Sequence, residues 1–455
     1  MQVIFAKRAR TTNGWEQNVR VSHDGGRIQS IEANSKVQPT DIRVDTLLPS
    51  LSNLHSHSFQ RAMAGMTEVR AAGKDSFWTW RELMYRFMEH VTPEQYHAIA
   101  ALAFMEMQEA GYASVGEFHY VHNQHGGQNY DNQTELSESV FAAVSQTGIG
   151  LTHLPVLYSY GGAGKVPLAG GQMRFGNSVD TFAMLVEEAR KLARETLPDD
   201  TCVGIAPHSL RATSPEDLAQ VLTIANDTPV HIHISEQPKE VEDIQSWLGA
   251  RPVEWLLENA PVSSQWCLIH ATHMTSEETQ NMARSGAVAG LCPITEANLG
   301  DGPFNGVEYL AHGGAFGLGS DSNVRISLSE ELRTLEYSQR LRDLGRNVII
   351  PGEGSVGEAL YMGAASGGAQ AMHRDSGQIE SGALADLVAI DSTAPALCAL
   401  RDDQLLDGLC FAADDTVITD LWSAGRHQVQ SGKHIHRDAI VANYKTAITS
   451  LLASI

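Results

Sequence analysis

Two histidines one residue apart, His55 and His57 in the run Leu54-His55-Ser56-His57, close an apolar stretch that reads as a β-strand. Residues i and i+2 of a strand face the same side, so the two imidazoles would offer two neutral nitrogens to a divalent transition metal. A lone H-x-H in a chain with 19 histidines also arises by chance. Three further strand-like runs end in comparable residues: His231-Ile232-His233-Ile234-Ser235-Glu236, Ile269-His270-Ala271-Thr272-His273 and Gly319-Ser320-Asp321-Ser322. Satisfied core histidines account for any one of these more easily than for all of them. Together His55, His57, His233 and Asp321 supply three nitrogens and one carboxylate oxygen, with His270 left beside them as an acid/base and room for one water. That donor set suits hydrolysis by activated water, and it accepts zinc, iron or manganese.

Such residues need a scaffold that brings distant strand ends to one face. Apolar runs of strand length recur at Leu47–His57, Ala113–Tyr120, Gly148–Tyr158, Val203–Ser209, Pro229–Glu236, Trp266–His273, Ala287–Thr295 and Gly314–Ser322. Between them lie helix-start signals: Thr92-Pro93 with Gln95, Ser214-Pro215 with Asp217, and Thr275 with Glu278. Eight alternating units over roughly 50–345 match an α/β fold of the (β/α)8 TIM-barrel type, whose reactive groups sit at the C-terminal strand ends. A doubly wound open sheet is the competing architecture, and no G-x-G-x-x-G or G-x-x-x-x-G-K-[ST] follows the first strand. Short strands with Gly-containing turns at Gln2–Ala6, Asn18–Ser22, Arg27–Glu32, Leu387–Asp391, Val417–Ser423 and His427–Gln430 differ from the middle of the chain. The expected organisation is a small β-sandwich domain from residues 1–48 and 360–455 around a barrel at 49–359.

The 455 residues, 42% apolar and 19% charged, are enough for a large core, which excludes a disordered chain or a small disulfide-stapled module. A net charge of −22 with no Lys/Arg-rich run argues against nucleic acid as a partner. No stretch reaches a signal h-region or a membrane span, so a soluble, cytoplasmic protein with no membrane partner is expected. Cys202, Cys267, Cys292, Cys398 and Cys410 form an odd count without a C-x-x-C pair, which reads as buried thiols.

Through His55-x-His57, His233, His270 and Asp321, in that order on strands one, five, six and eight, nearly the whole chain resembles the metal-dependent amidohydrolase superfamily. The fourth strand ends Ala206-Pro207-His208-Ser209, with no lysine to become the bridging ligand of the two-metal members, so one divalent metal per chain is implied, zinc by the resemblance. Glu236 matches the H-x-x-E pattern of the single-metal deaminases, where the carboxylic acid protonates the departing nitrogen. The stretches HSHSFQRAMAG (55–65), SFWTWRELMY (76–85), EFHYVH (117–122), APHSLRA (206–212), HIHISEQ (231–237), HATHM (270–274) and CPITEANLGDG (292–302) are similar to the deiminases of histidine degradation, which hydrolyse N-formimino-L-glutamate to N-formyl-L-glutamate and ammonia. The resemblance implies Glu236, His270 and Asp321 as catalytic residues, Gln60, Arg81, Tyr120, His208 and Arg211 as substrate contacts, and a homodimer.

In a chain of charge −22 a glutamyl substrate with two carboxylates needs local guanidinium groups, and Arg81 and Arg211 are placed to supply them. Both also read as ordinary surface arginines. Arg211 follows the fourth strand end closely, while Arg81 lies in an aromatic stretch that reads as a long first βα loop, with Trp78 and Trp80 as lid or packing residues. His119, His122 and His125 read as solvated or substrate-adjacent, His231 as a hydrogen-bonded barrel residue and His273 as support for the site. The competing functions are a single-metal deaminase of a heterocyclic amine such as guanine, which would want an aromatic sandwich and few cations, and a catalytically dead scaffold, against which the retained site residues argue.

Overall fold

The eight apolar runs form short parallel strands in which nearly every residue is buried, as expected where helices cover one face and a packed interior the other. The computed structural model describes residues 1–68, 77–350 and 352–454. Ser76 and the side chains of Phe77, Trp78 and Thr79, from the aromatic stretch above, lie outside the described residues. The strands run Leu51–Ser56, Tyr112–His119, Gly150–Leu157, a fourth split into Cys202–Val203 and Ala206–Pro207, Val230–Ile234, Trp266–His270, Val288–Leu291 and Ala315–Leu318. Each pairs in parallel with its neighbour, and the eighth pairs with the first at Leu318–Asn53. Parallel bridges Ile205–Val230 and Ser209–His233 join the fourth to the fifth. This curled parallel sheet fits a TIM barrel.

Three helix starts follow the sequence signals. Thr92 and Thr275 each accept from the backbone N–H three residues on and complete capping boxes with Gln95 and Glu278, and Ser214 accepts from Asp217 N. Among the described residues no helix is long and apolar enough to cross a membrane.

Four expectations are corrected. The run Leu47–His57 is two strands, Ile42–Pro49 in a second sheet and Leu51–Ser56 in the barrel. They break at Ser50, whose hydroxyl donates to Gly111 O at 2.7 Å and whose N–H donates to Asp386 O at 3.0 Å. Strand seven stops at Leu291, because Pro293 opens the helix Pro293–Leu299. The expected aromatic loop is largely the helix Phe77–Met88. The helix Val356–Ala371 crosses residue 360 and packs on the barrel strands Ala315–Leu318 and Leu51–Ser56, so a boundary there would cut it.

The chain ends meet in one continuous eight-stranded sheet, ordered Lys433–His434, Arg426–Gln430, Ile418–Ser423, Leu387–Ile390, Ile42–Pro49, Gln2–Thr11, Gly14–Asp24 and Arg27–Glu32. The antiparallel pair Leu387–Ile390 with Ile42–Pro49 ties the C-terminal half to the N-terminal half. A buried ion network joins this sheet to the barrel: Arg374 bonds Asp386 at 2.5 and 2.9 Å and Asp200 at 2.9 Å, and Arg426 bonds Asp200 at 2.7 Å. Of the cysteines, Cys267, Cys292 and Cys410 are buried, Cys202 is partly so, and Cys398 is exposed, contrary to the expectation of burial throughout.

Candidate metal centre and active site

The ends of barrel strands one and eight are tied together by buried polar side chains. Asn53 donates to Ser320 Oγ at 2.6 Å and accepts from Ser320 N at 3.0 Å, and Asn323 Nδ2 reaches Ser56 Oγ, His57 O and Asp321 O at 3.1 Å each. Backbone bonds from His57 N to Asp321 O and from Asp321 N to His55 O, both 2.9 Å, complete the clamp. Gly319 permits this approach, since a Cβ there would stand 2.7 Å from that of His55. Ser235, His270, Ala271 and Asp321 all have positive φ, between 45° and 68°. That left-handed backbone is disfavoured for residues with a side chain, and it turns the strand ends sharply into the pocket.

The clamp sets four donor atoms facing one point. His233 Nε2 lies 3.1 Å from His55 Nε2, and Asp321 Oδ1 lies 3.5 Å from His55 Nε2 and 3.3 Å from His57 Nε2. His55, His57, His233 and Asp321 are all buried and their donors lie within 4.8 Å of one another. His57 Nδ1 donates to Phe118 O at 2.9 Å and His233 Nδ1 donates to His208 O at 3.1 Å. Those bonds put the ring protons on Nδ1, so both Nε2 atoms aim lone pairs inward. Two nitrogens bound tetrahedrally at ~2.0–2.1 Å lie about 3.3 Å apart, which the observed spacings match. Lone pairs and a carboxylate converging in a buried place fit a divalent cation.

Burial pushes the imidazoles of His55, His57 and His233 down, His55 to about 3, so they remain neutral ligands. Burial opposes ionisation of Asp321, yet His55, His57 and His270 hold its carboxyl far below the usual range. A second grouping, His270, Cys292 and Asp321, shares Asp321 with the first; burial drives the Cys292 thiol well up, which makes it a poor ligand.

Glu236 and His270 stand at the edge of this cluster, with Glu236 Oε1 3.8 Å from His270 Nε2. His270 Nδ1 lies 3.2 Å from Glu296 Oε1, and its Nε2 lies 4.0 Å from Asp321 Oδ2. Burial works against a charge on His270, but Glu236, Glu296 and Asp321 prevail and push it up to about 10. Burial raises the Glu236 carboxyl, against the pull of His270 and Arg211. The pair is a buried acid/base couple with protons to exchange.

One pocket of about 550 Å³, open to solvent, is lined by His57, His233, Glu236, His270 and Asp321 and also by all five expected substrate contacts, Gln60, Arg81, Tyr120, His208 and Arg211. Gln60 Nε2 donates to Tyr120 OH at 2.7 Å, and Gln60 Oε1 is buried with no hydrogen-bond partner among the described residues. Burial and the neighbouring Arg211 hold His208 neutral. Arg211 is buried, with Nη2 3.7 Å from Glu236 and Nε 3.9 Å from Glu240, so the surface reading of it does not stand. Arg81 lies over the Tyr85 ring at 5.5 Å, and Trp80 lines the pocket beside it.

Other sequence expectations sort out plainly. His119 and His122 are buried, not solvated, the former 3.1 Å from Tyr96 OH and the latter donating to Val156 O at 2.9 Å. His125 is exposed near Glu89. His231 donates to Ala371 O at 2.8 Å, deep in the barrel. His273 is half-buried beside Asp301, away from the ligand cluster. Sequence reading missed Glu296, Glu117 and Glu240. Glu296 orients His270; Glu117 accepts from Ser58 N and Oγ at 2.8 and 2.6 Å, just past His57; Glu240 reaches Arg211. The signal available was that a catalytic or ligating imidazole needs a carboxylate or carbonyl on its other nitrogen, but nothing along the chain says which one.

A parallel barrel carrying His, His, His and Asp at its strand ends defines a metal-dependent hydrolase, and residues 46–427 match the profile of the amidohydrolase family, to which the chain belongs. Residues 1–45 match the profile described as formimidoylglutamate deiminase HutF, N-terminal domain. The chain is 45% identical to formimidoylglutamate deiminase of Pseudomonas aeruginosa, over 99% of this chain and 100% of that one. It is 26% identical to a 5-methylthioadenosine/S-adenosylhomocysteine deaminase of Natronomonas pharaonis, over 86% of this chain and 81% of that one. The crystal structure of an amidohydrolase from Brucella melitensis superposes with a TM-score of 0.95 at 47% identity, covering 99% of this chain and 100% of that one. An adenosine deaminase from Xanthomonas campestris with bound zinc shares the fold, with a TM-score of 0.82 at 21% identity, covering 99% and 98%.

Proposed function

We propose that this enzyme hydrolyses N-formimino-L-glutamate to N-formyl-L-glutamate and ammonia, in the degradation of histidine. The observation that carries the reading is that one pocket is lined by His57, His233 and Asp321 of the His/His/His/Asp cluster, by the acid/base couple Glu236 and His270, and by the two arginines Arg81 and Arg211. The likeness to the Pseudomonas aeruginosa deiminase across the full chain supports it.

His55, His57, His233 and Asp321 would hold one divalent metal, zinc in our reading, whose Lewis acidity makes water a nucleophile near neutral pH and opposes the upward shift of His270. His270, aligned by Glu296, and Asp321 take the proton as the water oxygen bonds to the formimino carbon. Glu236, kept protonated by burial, donates to the imino nitrogen as the tetrahedral centre forms, then relays the proton taken from water to the resulting amino group. The C–N bond breaks with ammonia as the leaving group while the hydroxyl proton of the tetrahedral centre returns to Glu236 and the formyl C=O remains. Arg81 and Arg211 hold the glutamyl carboxylates, and Gln60, Tyr120 and His208 shape the wall between. Arg211 already stands beside Glu236 in the pocket and Glu240 behind it, so it links substrate binding to the acid.

We also take the terminal sheet to be a sandwich-like unit with its own core, supported by the separate apolar cluster of Ile4, Val19, Val21, Leu47, Leu387 and Trp422. Its C-terminal boundary then falls after Ala371 rather than at 360.

Ammonia release from N-formimino-L-glutamate, N-formimino-glycine and guanine by the zinc-loaded protein tests the reading. Turnover of the first alone is expected. Equal turnover of N-formimino-glycine would remove the dicarboxylate argument, and turnover of guanine alone would replace the function.

A further inference from the structure

Glutamate at the third position of a helix ordinarily reaches back to the N–H of the capping residue. In the helix Pro238–Leu248 that residue is Glu240 and the cap is Gln237, whose side chain makes no capping bond. The Glu240 carboxylate passes the cap by. Its Oε1 accepts from Ser235 N at 3.3 Å and its Oε2 from Glu236 N at 3.1 Å, while Oε2 also stands 3.9 Å from Arg211 Nε. Arg211 Nη2 lies 3.7 Å from Glu236 Oε2, so Glu240 touches both the backbone that carries the acid and the guanidinium that faces it.

Glu240 is fully buried. A carboxylate is costly to remove from water, and a helix start can be capped at the surface without burial. The placement is therefore better explained by what the carboxylate holds. Ser235 has φ of +51°, a conformation its side chain disfavours, and the Glu240 bonds to Ser235 N and Glu236 N stabilise the turn that carries the acid out of the strand.

The geometry points to Glu240 as a positioning residue that sets the acid Glu236 and the anion-holding Arg211 in one register, so that a substrate held by the guanidinium has its imino nitrogen in reach of the acid. Glu240 stands outside the ligand set His55, His57, His233 and Asp321, so metal loading does not depend on it. The assignment rests on the deimination reading for the role of its two clients, but the contacts themselves do not.

The test compares zinc-loaded parent, Glu240→Gln and Glu242→Gln, the last an exposed neighbour on the same helix. The expected Glu240→Gln result is one metal per chain, kcat lower by roughly 10–100-fold and KM for N-formimino-L-glutamate higher by roughly 10-fold, with Glu242→Gln unchanged. In an Arg211→Met background the KM effect of Glu240→Gln should vanish while the kcat effect persists, a split that general loosening would not produce. Hydrogen exchange over 231–240 should accelerate at Ser235 and Glu236. Unchanged kcat and KM, or activity lost only in proportion to metal or folded protein, overturns the assignment. If Glu240→Gln does not fold, Glu240→Asp keeps the charge but withdraws it from the two N–H groups; parental kcat and KM in that variant overturn it equally. A parent that releases no ammonia from N-formimino-L-glutamate defeats the deimination reading alone, and unchanged exchange in Glu240→Gln defeats the positioning role alone.

Discussion

Replacing Glu236 by Gln separates the acid from the metal site. The amide keeps the size of the side chain and its reach toward His270, 3.8 Å away, and toward Arg211, 3.7 Å away, but has no proton to give. Glu236 is not among the four converging donors, so the variant should bind one metal per chain, as the parent does. Burial already favours the neutral form of this carboxyl, so a neutral amide should leave folding stability little changed. One positioned general acid contributes ~10²–10⁴ in rate, equivalent to about 3–5 kcal/mol of barrier, and kcat should fall by that factor. KM should change much less, because Arg81 and Arg211 remain. Metal content, kcat and KM from ammonia release must be measured on one preparation. Metal lost and activity restored by excess zinc would refute the reasoning, because Glu236 would then act by holding His233 in place; a kcat within about threefold of the parent would refute it as well.

Three further outcomes are expected. His55→Ala should lose stoichiometric metal, since it removes one of three neutral nitrogens, and elemental analysis finding one equivalent with parental turnover would end the ligand assignment. Arg81→Met should raise KM or lower kcat/KM by roughly 10–150-fold with metal content intact, as a charge-assisted contact worth about 1.5–3 kcal/mol requires; a change within twofold would remove Arg81 from carboxylate binding. Asp200 is held down at about 2: burial opposes its charge, but Arg426 and Arg374 outweigh it. Its contribution, on the order of 2 kcal/mol, is thus fully present above the ordinary value of 3.8 and lost as pH falls from there through about 2. Denaturant titrations of Asp200→Asn against the parent should show that deficit at pH 7 and a shrinking one below pH 4, and a pH-independent difference would contradict it.

What the amino-acid order determined by itself is what depends on local period and on residue type. Continuous apolar runs predict strands buried on both faces, capping signals at Thr92, Ser214 and Thr275 mark helix starts, and the alternation of side chains puts His55 and His57 on one face, while His233, His270 and Asp321 were marked by standing at the ends of apolar runs and Glu236 by the H-x-x-E resemblance. Boundaries set by distant partners were not legible. Ser50 ends one strand and begins another only because Gly111 and Asp386 lie beside it, and the helix Val356–Ala371 belongs with the barrel only because its apolar side meets strands one and eight. Arg211 reads alike as surface or site until strand five brings Glu236 and Glu240 against it. Glu296 and Glu240 were invisible for the same reason. A carboxylate on a helix start is ordinary in sequence, and its partner, an imidazole or a guanidinium on another strand, is chosen by closure of the sheet, which brings together residues that no local pattern relates.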